Sequence, residues 1–357
     1  MTRRPRLMRV AFPLAFLLSA TGATAARGQV LYSDDFNTDT SANYTITQTL
    51  TSANGPTSDA TFAYNYGVAP GSGGLSIPLA PHTTDGSTLG LRLRVDNLAN
   101  SNGGTAPNGI NYVVGAITVA TKNVPSLPTA YTVRADVWGN YIGGTSLASS
   151  GSNGTTGAGM GLGTAGTGLQ YPITNDGFLA DAIHDGGTPT YRAYVHTVNE
   201  PPSSGYYPAG TAAGSNNASN SYFSLAFPSQ QAPAGQQSFS STQTGSTPTG
   251  IIGFAWHSFM LTQDGTNITW YIDNTVVAVV PDSSTDFGAT RFGGSQVSLD
   301  AIDTGLTGNT AANNQLFNAD IWDNLVVTAG VPEPGSFGLF GLAAGGLLVR
   351  RWKRPAK

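Results

Sequence analysis

Between residues 30 and 328 the apolar positions alternate with polar ones over short stretches, and no apolar stripe keeps helical spacing for more than two turns. Leu89, Leu91, Leu93 and Val95 alternate with Gly90, Arg92 and Arg94. Tyr131, Val133, Ala135 and Val137 alternate with Thr132, Arg134 and Asp136. Each run predicts a strand with one buried face. Ile251 to Val280 predicts a three-strand meander, with one turn at Asp264-Gly265 and a second at Asp273-Asn274. Gly143 to Gly168 is low in complexity and predicts a long loop with room for one glycine-rich strand. Trp256, Trp270 and Trp322 lie in apolar strands and are expected in a core. Trp138 shares a strand face with Arg134 and Asp136 and is expected to be exposed. The fold class that follows is all-β.

The two ends break this pattern. Arg3, Arg4, Arg6 and Arg9 precede an apolar run from Val10 to Leu18, and Ala23-Thr24-Ala25 offers a small-x-small cleavage site, so residues 1–25 read as a signal peptide. A second cut is conceivable after Gly28. Arg6 stands where a twin-arginine signal prefers an apolar residue, which favours the general secretory route. At the other end, Pro332-Glu333-Pro334 is a stiff extended tripeptide. The run from Phe337 to Val349 carries no charge and ends against Arg350, Arg351, Lys353 and Arg354. A span over 336–352 is near the lower limit of about 20 apolar residues for a helix crossing a bilayer. The basic cluster would stay cytoplasmic, leaving the passenger, residues 29–329, outside.

This order of tripeptide, span and basic end over 331–357 resembles the PEP-CTERM sorting tail of Gram-negative bacteria, the substrate signal of the membrane protease exosortase. The resemblance implies recognition at Pro332, Glu333 and Pro334 in the inner membrane, removal of the span, and release or transfer to the cell surface or extracellular matrix.

Removing both ends changes the charge. The passenger keeps six basic side chains against nineteen acidic ones, a net charge of −13. Such a surface repels nucleic acid and anionic lipid. With no cysteine in an exported chain, stability must come from a buried core.

The opening LYSDDFN, the meander and the closing ADIWDNLVV resemble the laminin-G and concanavalin-type jelly rolls. The resemblance implies a jelly-roll (concanavalin A-like) β-sandwich, association with carbohydrate, and a structural calcium through an aspartate of the last strand, here Asp323. Loop aromatics that could stack on sugar rings are Tyr206 and Tyr207, with Trp138 on its strand face.

Catalytic constellations are scarce. The passenger has one glutamate, Glu200, followed by Pro201-Pro202, so the E-x-D-x-x-E strand of jelly-roll glycosidases is absent. Asp35, Asn37 and Asp39 have the alternate spacing of a calcium loop, but Thr40 and Ile46 replace its glycine and closing acid. Gly161, Gly163 and Gly166 lack the strand and helix that a dinucleotide site needs. His82, His184, His196 and His257 show no metal spacing. The leading reading is a non-catalytic surface protein that associates with exopolysaccharide or surface glycans. The rivals are a glycoside hydrolase using an aspartate pair and a matrix protein without a ligand.

Overall fold

The computed structural model describes residues 28–48, 57–96, 114–122, 124, 127–141, 156–164, 168–169, 177–184, 190–195, 206–208, 217–241, 243, 246–281, 295–304 and 316–330. The signal peptide and sorting tail expected from the sequence lie outside these residues, as do Ala23, Ala25, Pro332, Glu333, Pro334 and the basic cluster at 350–354. Among the described residues no helix is long and apolar enough to cross a membrane.

Fourteen described strands build two antiparallel sheets. They are β1 (Val30–Asp34), β2 (Tyr44–Gln48), β3 (Thr57–Asn65), β4 (Leu89–Asp96), β5 (Val114–Thr121), β6 (Tyr131–Asn140), β7 (Thr156–Thr164), β8 (Phe178–Ile183), β9 (Tyr191–Val195), β10 (Trp256–Gln263), β11 (Asn267–Ile272), β12 (Thr275–Pro281), β13 (Gln296–Thr304) and β14 (Ala319–Ala329). The first sheet runs β12-β11-β10-β6-β14-β4-β3, with β1 beside β14, and the second runs β2-β5-β13-β7-β8-β9. Two short helices, α1 (Ser221–Ala226) and α2 (Ala234–Phe239), join β9 to β10. This is the all-β class expected from the alternating pattern, arranged as the jelly-roll β-sandwich that the resemblance implies.

Local chemistry explains the hairpins. Gly265 takes φ 94°, while the Asp264 carboxylate accepts the Thr266 and Asn267 amides at 2.7 Å. Asp273 (φ 50°) and Asn274 (φ 66°) both adopt left-handed backbone, as a two-residue hairpin turn following the strand twist requires. The glycine-rich stretch contributes β7, whose Ala158, Met160 and Leu162 enter the core and whose glycines face away.

The inter-sheet core is aromatic at its centre. Phe259 packs 5.2 Å from Trp270 and 5.8 Å from Trp322, ring centre to ring centre. Around it sit Leu91, Leu93, Val133, Val137, Met160, Leu299 and Val327, all fully buried or nearly so.

A bulge in β14 controls the arrangement. Along this strand Trp322 faces the core and Asp323 faces outward, and then the register against β6 shifts before Val326. Asn324 absorbs the extra residue at φ 53°, a conformation that Asn tolerates better than most side chains. Leu325 and Val327 therefore face the core, whereas strict alternation from Trp322 would have turned them out. We predict that Asn324→Val, which pairs a β-branched side chain with a left-handed backbone and removes two side-chain hydrogen bonds, lowers stability by about 2–4 kcal/mol. Asn324→Gly should cost less. Urea unfolding midpoints of the two variants check the order.

Candidate functional site

Because of the bulge, Asp323 and Asn324 both lie on the outer face of the first sheet beside Asp136 of β6. The Asn324 amide donates to Asp136 at 2.9 Å and to the Thr83 hydroxyl at 3.1 Å. Asp136, fully buried, also accepts from His82 Nδ1 at 2.6 Å and from the His82 backbone amide at 3.1 Å. Asp323 accepts from Tyr66 Oη at 3.0 Å, Thr83 Oγ1 at 3.4 Å and the Asn324 amide at 2.7 Å. Burial pushes the Asp323 carboxyl up to about 7 against these donors, and the neighbouring Asp136 charge adds to the rise.

The calcium expected at Asp323 does not fit this arrangement. Its acceptor positions, like those of Asp136, are held by hydroxyl, amide and imidazole donors that a cation would leave unpaired. Among the described residues, no group of three His, Cys, Asp or Glu side chains is disposed to hold a metal ion.

Next to this network lies an open groove of about 390 Å³, whose lining includes Asp34, Asp35, His82, Arg134, Asn324 and Val326. Its walls have different roles. The Asp34 carboxylate is committed to the Phe36 amide at 2.9 Å, Thr40 Oγ1 at 2.7 Å and Tyr44 Oη at 2.8 Å, so it shapes the loop. Asp35 is exposed, with one oxygen accepting the Asn37 amide at 3.2 Å. Arg134 is half-buried, and its guanidinium makes no hydrogen bond or ion pair with any described residue. The groove thus offers a fork of guanidinium donors, a carboxylate acceptor, an imidazole edge and an apolar floor at Val326.

Three sequence expectations about aromatics are corrected. Trp138 is only 3% exposed, because the outer face of the first sheet carries a second apolar cluster of Tyr64, Tyr66, Leu75, Ile77, Tyr141, Phe254, Phe317 and Ile321. Trp256, expected in the core, is instead half-buried on the same face, its indole donating to the Pro78 carbonyl at 2.6 Å. Tyr207 is buried and its hydroxyl accepts the Ala193 amide at 2.8 Å, closing the edge of β9, while Tyr206 packs half-buried on the core. Trp138 and Tyr207 therefore present no ring face to a sugar. Sequence reasoning missed His82 and Arg134. Arg134 was visible as one of six basic residues in the passenger, on the polar side of an otherwise apolar strand.

The second sheet carries acids on the side away from the core. Asp300 of β13 lies opposite Thr118 on one neighbour and Gly159 on the other, and Gly159 lies opposite Asp181 of β8. Thr118 and Ser298 hydroxyls donate to Asp300, and burial pushes its carboxyl up to about 7. Asp181 is fully buried with neither oxygen hydrogen-bonded to a described residue, and burial holds its carboxyl well above the usual range despite nearby Arg192. In the folded chain Asp300 and Asp323 keep protons that the unfolded chain releases near pH 4, so this stability is full below about 4 and lost as pH rises to about 7. Melting temperature should therefore fall between pH 5 and 7, and Asp300→Asn should flatten part of that fall.

Among solved structures, the fold is similar to a protein of unknown function with a galectin-like fold from Bacillus subtilis, at 8% identity over 86% of this chain and 99% of that one, TM-score 0.39. It is similar to an endo-1,3-beta-glucanase from Streptomyces sioyaensis, at 13% identity over 86% and 98%, TM-score 0.38. A carbohydrate-binding module from Bacillus subtilis matches at 11% identity over 60% and 86%, TM-score 0.29. No curated protein sequence matches the chain. Residues 330–354 match the PEP-CTERM protein-sorting motif, so the chain joins a jelly-roll β-sandwich to a PEP-CTERM motif.

Proposed function

We propose that this protein is exported, sorted through its PEP-CTERM tail by an exosortase-type membrane protease, and retained at the cell surface or in the extracellular matrix of a Gram-negative bacterium. There it associates without catalysis with a polysaccharide held in the groove beside β1. The observation that carries this reading is the Arg134 guanidinium, half-buried at the groove and without a partner among the described residues, beside an open volume of about 390 Å³. A polyhydroxylated ligand supplies what such a group needs: oxygen acceptors for its fork, hydroxyl donors for Asp35, and a carbon face for the aliphatic floor.

The hydrolase reading receives less support from this groove. Hydrolysis by paired carboxylates needs both acids free to reach the sugar. Asp34 is consumed by three internal donors, and Asp136 and Asp323 are enclosed beneath Tyr66, Thr83 and Asn324. Asp35 alone of the groove acids is exposed.

The purified passenger, screened against polysaccharides including the matrix of its own host, should bind one neutral glycan class saturably. Arg134→Ala should weaken that binding about tenfold, the worth of a lost charge-assisted hydrogen bond, at unchanged melting temperature. Chelator should leave it unaltered. A passenger that binds no glycan, or an Arg134→Ala variant that binds as well as the parent, would sink the assignment.

A further inference from the structure

The first and last strands of the passenger are partners, and this has a consequence for processing that rests on the sorting reading above. β1 pairs antiparallel with β14, Val30 opposite Thr328 and Asp34 opposite Leu325. The tie continues past the last paired residues. The Ala329 amide donates to the Gln29 carbonyl at 2.8 Å on one side. On the other, the Gly330 amide donates to the Ala130 carbonyl at 2.8 Å, and Thr132 Oγ1 donates to the Gly330 carbonyl at 3.0 Å. Gly28 lies so close that a Cβ there would sit 2.0 Å from the Ala329 carbonyl oxygen. The chain is thus held on both flanks up to Gly330, and a single residue, Val331, separates Gly330 from Pro332 of the sorting tripeptide.

A protease takes its substrate as extended chain on both sides of the bond it cuts, and cleavage near folded structure follows the population in which that structure has opened. We infer that the end of β14, fastened by Gln29, Ala130 and Thr132, is a strap that limits how the processing protease reaches Pro332-Glu333-Pro334. Processing proceeds from the state in which residues 328–330 have come away from β1 and β6. The surface the protease meets is this strand end, so passenger stability at one edge of one sheet sets the rate of maturation.

The test follows conversion of precursor to processed protein in the native host by pulse-chase. Four Gly/Ser residues inserted between Gly330 and Val331 leave every bond of the passenger in place and should speed conversion at least about fivefold, the equivalent of one hydrogen bond. Thr132→Val, which removes the hydroxyl that holds Gly330, should speed it about two- to fivefold. Glu333→Ala should block it in both backgrounds. If the spacer leaves conversion unchanged or slows it while Glu333→Ala still blocks, the strap is overturned and the sorting reading stands. If Glu333→Ala is processed normally, the sorting reading falls and takes the strap with it.

Discussion

One extra residue in β14 decides which side chains this protein hides and which it shows. Side chains along a strand alternate between faces, so a strand that must present Trp322 and Val327 to the same core is out of phase unless a residue is inserted between them. The insertion is made at Asn324, whose backbone accepts the left-handed conformation and whose side-chain amide spans Asp136 and Thr83. The shift also divides the neighbours of β14. Its first half pairs with β4 and its second half with β1, so the bulge stands where one partner gives way to the other. The groove opens there, because β1 carries the Asp34–Asp35 turn while β6 places Arg134 alongside.

The outer face of the first sheet is half a second core. At the end near Trp138 and Ile321 it is covered by Leu75 and Ile77, which the chain brings over after β3, and by Phe254 and Phe317. The cover is tied down by polar groups. Gln236 of α2 donates to the Leu75 carbonyl at 2.8 Å and to Asn140 Oδ1 at 2.7 Å, and Gln243 donates back to Gln236 at 2.9 Å. Each amide is buried with its partners in place, so the layer holds to the sheet without leaving those donors unpaired. Towards Arg134 and β1 the same face passes from this apolar cover to the groove.

This division explains what the sequence could and could not disclose. Alternation alone located β4, β6 and the meander β10–β12, and turn chemistry at Asp264-Gly265 and Asp273-Asn274 placed the hairpins, because these features are local. Which side of a strand is covered depends on what later folds over it. Trp138 looked exposed because its strand neighbours are Arg134 and Asp136, and only the layer contributed by residues 66–80 together with Phe254 and Phe317 makes it interior. Trp256, its register partner on β10, looked internal for the converse reason. His82 sits in an irregular stretch with no period, and its pairing with Asp136 across 54 residues leaves no trace in either segment alone. The sorting motif at 330–354 was legible because its signal is order along the chain, with no tertiary contact required.

Charge narrows what the groove can hold. With nineteen acids against six basic groups, the passenger as a whole repels polyanions, and that repulsion acts over the Debye length of about 8 Å at physiological salt. The groove lining carries Arg134 together with Asp34 and Asp35, so the local field is mixed in sign. A polyanionic glycan would gain at Arg134 and lose against Asp35 and the surrounding surface. A neutral glycan meets neither penalty, because its hydroxyls can accept from the guanidinium and donate to the carboxylate at the same time. A guanidinium without a partner among the described residues and an exposed acid lining one groove therefore favour neutral sugars.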